Sequence, residues 1–283
     1  MAYGIGANDV ANAMGTSVGS KAITLKQAII IAAIFEFLGA YFGGGEVTST
    51  IRKGIVDPTI YEDANKFIIG MLSSLLAAGT WLIIASRRGW PVSTTHSIVG
   101  AIIGFVSISK GVSYVSWGTV GGIASSWVTS PVIAGFLAFL IYLSAKKSIL
   151  DSANPGGRAV KIIPIYSFYV AFIISLVIAR KGLKNIGLEL SESDVYMFSS
   201  IFGIIAAAIT YTLLRQNFSK IKENGIESAF AILMIVSACA MAFAHGSNDV
   251  ANAIGPLAAI VSTVNSNGII AVSYTHLTLP TKA

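Results

Sequence analysis

Residues 6–15 read GANDVANAMG and residues 246–255 read GSNDVANAIG, so one ten-residue string recurs 240 positions later with eight identities. Small apolar residues recur easily in an apolar chain. Asn8, Asp9 and Asn12 returning as Asn248, Asp249 and Asn252 do not. On a helix, positions i and i+3 share a face, which sets Asp9 beside Asn12 and Asp249 beside Asn252. Asn8 and Asn248 point off that face, toward a neighbouring cation or an opened stretch of backbone. Gly6, Ala7, Ala11, Ala13 and Gly15, with their counterparts in the second copy, leave room for another helix to approach closely. Packing alone accounts for those small residues. It does not account for the carboxylates, which are costly to bury unless they pair, bind a cation or share a proton.

The chain around these strings is 283 residues long, 54% hydrophobic and 11% charged, with a mean hydropathy of +0.74. A soluble domain carries about 25% charged residues. A chain with less than half that supply cannot clothe a globule in polar groups, so the composition excludes a soluble domain and implies an all-α polytopic membrane protein. At about 20 residues per crossing, the length allows roughly seven to nine membrane elements. The net charge of +6 comes from short basic groups between apolar runs, such as Arg52-Lys53, Arg87-Arg88, Lys146-Lys147 and Arg180-Lys181. That pattern fits loops beside anionic lipid and not a nucleic-acid surface. Basic residues occur in nearly every loop, so they leave the orientation open. Cys239 is the only cysteine, which rules out a disulfide framework or a thiolate metal site. No zinc-enzyme spacing, P-loop or G-x-G-x-x-G is present.

Apolar runs predict elements at 2–18, 22–42, 67–86, 90–108, 112–143, 162–179, 195–214 and 228–245, with a hydrophilic loop at 146–161. Gly121-Gly122 and Pro131 predict a break inside the fifth of these. The stretch WPVSTTHSIVG, from Trp90 to Gly100, opens on a proline and four polar side chains. It reads as a re-entrant or broken helix, a form tolerated at membrane depth only where protein or water satisfies the backbone. Pro91 suits a first helical turn, whose free N–H groups and the Ser93, Thr94 and Thr95 hydroxyls would face a solute. His96 orders those hydroxyls, shuttles a proton or packs. His245, next to the second motif, reads as a hydrogen-bond partner behind the site. Glu36, alone in an apolar run, is either packed against another helix or a residue of ion coupling or gating. Arg87, Arg88 and Arg180 border their spans and reach toward the interface.

The paired GANDVANAMG and GSNDVANAIG strings, GWPVSTTHSIVGAIIG between them, and the stretches FEFLGA and TIRKGIVD together resemble the inorganic phosphate transporter family of sodium- or proton-coupled permeases. The resemblance runs from Ala2 to about Ile270. It implies an inverted-repeat transporter with broken helices and a re-entrant hairpin. The first repeat would occupy 1–145, with a signature helix at 2–18 and the hairpin region at about 89–130. The loop 146–161 and connecting transmembrane helices 162–227 would follow, then the start of a second repeat at 228–271 and a non-native or disordered tail at 272–283.

Carried over residue by residue, the resemblance gives Asp9, Asn12, Ser93, Thr94, Thr95, Asp249 and Asn252 to phosphate. Asn8, Asp9, Asn12, Asn248, Asp249 and Asn252 belong to sodium, and Glu36 matches an acidic position associated with transport. The implied function is symport of inorganic phosphate with sodium or protons, with another tetrahedral oxyanion such as sulfate as the alternative substrate. The expected protein is a multi-pass cell-membrane transporter, not an enzyme, with no cofactor and no metal beyond transported sodium. Its partners would be phosphate, the coupling ion and the lipid bilayer, with a homodimer left open and no nucleic acid. Cations, or protons on the carboxylates or on phosphate, would cancel the repulsion between acid side chains and the anion. One departure is expected: the second Ser/Thr-rich hairpin falls beyond Ala283. The second repeat would therefore be incomplete, the chain truncated, and the phosphate site present only in part. The opening likewise lacks a signal-peptide pattern and the lead-in to a first span.

Overall fold

A computed structural model describes residues 1–44, 54–182, 190–219 and 225–265. Arg52, Lys53, the first half of TIRKGIVD and the 272–283 tail lie outside the described residues. The described chain is helical: α1 Ala2–Gly19, α2 Leu25–Gly43, α3 Ala64–Arg87, α4 Thr94–Ser109, α5 Trp117–Ala145, α6 Pro155–Val177, α7 Glu192–Gln216 and α8 Glu227–Asn265. Six of these are long and apolar enough to cross a membrane, namely α2, α3 and α5 to α8. The fold is thus an all-α, polytopic one.

Side chains fix where the helices begin. Thr24 and Gln27 form a reciprocal capping box at α2, Asp63 accepts the Asn65 N–H at α3, and Ser191 accepts the Asp194 N–H at α7. Ser93 Oγ accepts the His96 N–H at 3.2 Å and so starts α4. Each satisfies a backbone donor that the first helical turn leaves free. Asn154 caps α6, with Pro155 in its first turn. That cap puts residues 155–161 in a helix, and 146–150 continue α5 as a π-turn. The expected loop at 146–161 is therefore reduced to a few residues around Asp151–Asn154.

Helix continuity also departs from expectation. Pro131 lies inside an unbroken α5, with no interruption after Gly121-Gly122. Neither motif breaks its helix, since α1 runs through the first and α8 runs through the second and past Pro256. One proline removes one backbone donor and can be absorbed by a long apolar helix. An outright break would leave several peptide groups in hydrocarbon.

Packing pairs α2 with α8, α6 with α7, and α3 with α4. The α2–α8 pair is held very close by glycine. A methyl group on Gly39 would land on the Phe243 carbonyl, one on Gly43 on the Ser247 hydroxyl, and one on Gly246 on the Glu36 carbonyl. In α1 Gly6 and Gly15 face open space, and of the small residues in the first copy Ala13 is the buried one, packed with Ala28, Ala32, Ala238 and Ala242. Helices α3 and α4 form an antiparallel hairpin whose tip is residues 88–93. The helix that precedes the Pro91–Ser97 segment, not the one that follows it, is its antiparallel partner. The feet of this hairpin are tied together by the Val56–Val115 bridge and the Ser116 N–H to the Ile55 carbonyl at 3.0 Å.

Candidate functional site

The hairpin tip meets α1 and α8 at a cavity of about 410 Å³, lined by Asp9, Asn12, Pro91, Val92, Ser93, Thr94, Thr95, His245, Asn248 and Asp249. Asp9 is 6% exposed and Asp249 8%, a degree of burial that requires partners for both charges. The shared partner is His245. Its Nε2 stands 2.7 Å from Asp249 Oδ2 and 3.8 Å from Asp9 Oδ2, and its Nδ1 lies 2.9 Å from Glu36 Oε1. The Nε2 contact with Asp249 has an ion-pair distance without the alignment of a hydrogen bond. The ring nitrogens thus face carboxylates from three helices. Glu36, expected as either packed or functional, is joined to the site through this histidine.

Asn252 is the buried clip of the site, 1% exposed. Its amide nitrogen reaches Thr95 Oγ1 at 3.0 Å, Thr94 Oγ1 at 3.2 Å and Asp249 Oδ1 at 3.2 Å. Two N–H groups shared among three acceptors hold the hairpin hydroxyls in register with the acid. The Asp-x-x-Asn spacing supplies this directly, because i and i+3 lie one above the other on α8. Asn252 itself stays behind the cavity wall. Asn12, its counterpart, is exposed and lines the cavity. Asn252→Leu keeps the side-chain size but leaves the Thr94 hydroxyl and Asp249 Oδ1 without this donor. Thermal unfolding in detergent should then show a lower Tm, consistent with roughly 1–3 kcal/mol per stranded buried polar group, while membrane content stays normal.

Asn8 and Asn248 do different jobs. Asn8 donates to the Trp90 carbonyl at 3.1 Å and to Ser86 Oγ at 3.3 Å, and accepts the Val92 N–H at 3.3 Å. Both ends of its amide grip the hairpin tip, a role that its expected link to sodium did not include. Asn248 lines the cavity and donates to Asp249 Oδ1 at 3.1 Å. His96 turns away from the cavity and lies against Trp127, ring centroids 3.7 Å apart. Its side chain packs, and only its backbone N–H serves the hydroxyl cluster, through Ser93. Arg88 covers the Trp90 ring and Arg180 pairs with Glu192 over Tyr196. Sequence reasoning did not single out Ser86 or Val92, whose parts are visible only once Asn8 is placed beside them.

Asp9, His245 and Asp249 bring one ligand atom each to within 4.8 Å of one another. Three carboxylates around one imidazole form a site biased toward cations, and a cation there would face the hydroxyls and backbone of the hairpin tip. The Phosphate transporter family profile matches residues 5–279, nearly the whole chain. The chain belongs to this family. A Haemophilus influenzae protein provisionally named a phosphate permease is 51% identical over 274 residues, covering 95% of this chain and 65% of the relative. The Arabidopsis thaliana inorganic phosphate transporter 2-1, chloroplastic, is 40% identical over 94% of this chain and 49% of its own length. A solved structure titled as the sodium-dependent phosphate transporter superposes with a TM-score of 0.84 at 36% identity, covering 94% of this chain and 66% of that one. The chain therefore spans just under two thirds of the Haemophilus relative and of the solved phosphate transporter, and about half of the plant one.

Proposed function

We propose that the protein is a secondary active transporter of inorganic phosphate, coupled to sodium or proton symport, in a cell membrane. The observation that carries this reading is the cavity where Asp9 and Asp249 face the Ser93, Thr94 and Thr95 hydroxyls across a single space. An anion enters a site of three acids only with positive charge beside it, so cation and anion each raise the other's affinity. Family membership and the relatives' names support phosphate as the anion. The carboxylates support it too, because a phosphate that keeps a proton near neutral pH donates a hydrogen bond to an acid, and sulfate has none to give.

Within this reading, α3–α4 is the re-entrant hairpin. Helix α4 has 16 residues, about 24 Å, which is short of a hydrocarbon core of about 30 Å. The motifs on α1 and α8 belong to two inverted repeats, the first within 1–145 and the second beginning near 228. Such repeats place their solute where the two halves meet. Phosphate would contact Asp9, Asn12, Ser93, Thr94, Thr95 and Asp249, with Asn252 behind the hydroxyls. Sodium would use Asp9, Asp249 and the amide oxygens of Asn12 and Asn248, while Asn8 holds the tip in place.

Proteoliposomes carrying the protein should accumulate radiolabelled phosphate under an imposed sodium or proton gradient, and a large excess of sulfate should leave the uptake nearly unchanged. Uptake independent of both gradients, or competed by equimolar sulfate, would contradict the proposal.

A further inference from the structure

At the opposite end of the α3–α4 hairpin from the phosphate cavity lies a second hollow of about 330 Å³. Its floor is rigid. The Tyr61 ring stacks on Phe105 with centroids 5.4 Å apart, and Phe105 in turn fills the space that a side chain at Gly70 would need. The Tyr61 hydroxyl and Ser109 Oγ are 2.7 Å apart at its polar end. Two cations flank that end: Lys66 from the first turn of α3 and Lys110, which follows the last turn of α4 and lies over the Tyr61 ring. Antiparallel pairing brings both to the same membrane face. No carboxylate lines the hollow among the described residues. The nearby Asp57 and Asp63 are turned to backbone caps at Thr59 and Asn65, and Glu62 is exposed outside it.

The other end is apolar and open. Ile69 lines the hollow and is 61% exposed, and Leu76, two turns further along α3, is 64% exposed. A free phosphate would satisfy the lysines but leave this apolar track unused. A ligand with an anionic head and a hydrocarbon tail satisfies both, and lysines at the hydrocarbon boundary attract acidic headgroups. We propose that the feet of the α3–α4 hairpin form a binding site for an anionic phospholipid, its headgroup between Lys66 and Lys110 and an acyl chain along Ile69. The site is separate from the transport cavity, and the inference does not depend on the transported species.

The test is native mass spectrometry of the full chain in neutral detergent, titrated with phosphatidylglycerol or phosphatidylcholine of identical acyl chains. Wild type should retain phosphatidylglycerol about thirtyfold more tightly, the scale expected from two lysines near an acidic headgroup. The K66Q/K110Q protein should lose that preference, and K146Q/K147Q should keep it. Ser73→Phe, which fills the groove and spares both lysines, should weaken both lipids together. Millimolar inorganic phosphate should displace neither. Equal retention of the two lipids by wild type, an unchanged preference in K66Q/K110Q, or displacement by inorganic phosphate would overturn the proposal.

Discussion

Asp249→Asn is expected to lower gradient-driven phosphate uptake at least about a hundredfold, with little change in the amount of protein in the membrane. Asp249 closes the contact with His245 Nε2 at 2.7 Å and accepts from Asn248 and Asn252. An amide in its place cannot balance the imidazole or a cation. Removing one member of a buried charged pair costs roughly 3–5 kcal/mol, and 3 kcal/mol already corresponds to about a hundredfold in affinity. Insertion is decided by the apolar length of the helix, which the substitution leaves intact. Asp9→Asn should behave alike through the same histidine, and the double variant should be scarcely worse than either single one, since both remove one shared interaction. Uptake of labelled phosphate, normalised to protein in the membrane fraction, checks this. Near-normal uptake by both single variants would remove the carboxylates from the site.

The second large effect concerns packing, and the repeat supplies its own control. Gly246→Ala places a methyl group on the Glu36 carbonyl, which is backbone and cannot swing aside. Helices α2 and α8 would have to separate, at a cost of about 1–3 kcal/mol or more, and Glu36 would be drawn from His245. Gly6→Ala, at the equivalent position of the first motif, meets open space and should be neutral, or stabilising by up to about 1 kcal/mol through helix propensity. Thermal unfolding in detergent should therefore show a lower Tm for Gly246→Ala alone, and uptake should fall with it. Equal behaviour of the two alanines would mean that α2 and α8 are not in this close contact.

Asp9 and Asp249 were legible because a carboxylate in an apolar run has no cheap structural explanation, and a repeated one has less. The hydroxyls of Ser93 to Thr95 were legible for a similar reason, following a proline. What spacing could not supply was the neighbour. The link from Glu36 to His245 joins residues 209 positions apart, and no local pattern on either helix encodes it. The two copies of the motif are almost identical strings with unlike surroundings. Asn8 meets a hairpin tip, Asn248 a cavity, Gly246 a helix backbone and Gly6 nothing. Helix breaks were over-read from Gly121-Gly122 and Pro131 because sequence marks where a helix is weakened. Whether it then parts depends on whether the freed peptide groups find partners, and in hydrocarbon they do not.

Joint occupation of the Asp9–Asp249 cavity by a cation and an anion is tested most directly by equilibrium binding. Phosphate should be titrated into the purified protein in sodium, then in choline at equal ionic strength, with a reciprocal sodium titration with and without phosphate. Sodium should strengthen phosphate binding, and phosphate should strengthen sodium binding by the same factor, in the range of about 5- to 150-fold for coupled sites. A phosphate affinity that is the same in choline as in sodium, at a pH where proton uptake on binding is also absent, would contradict it.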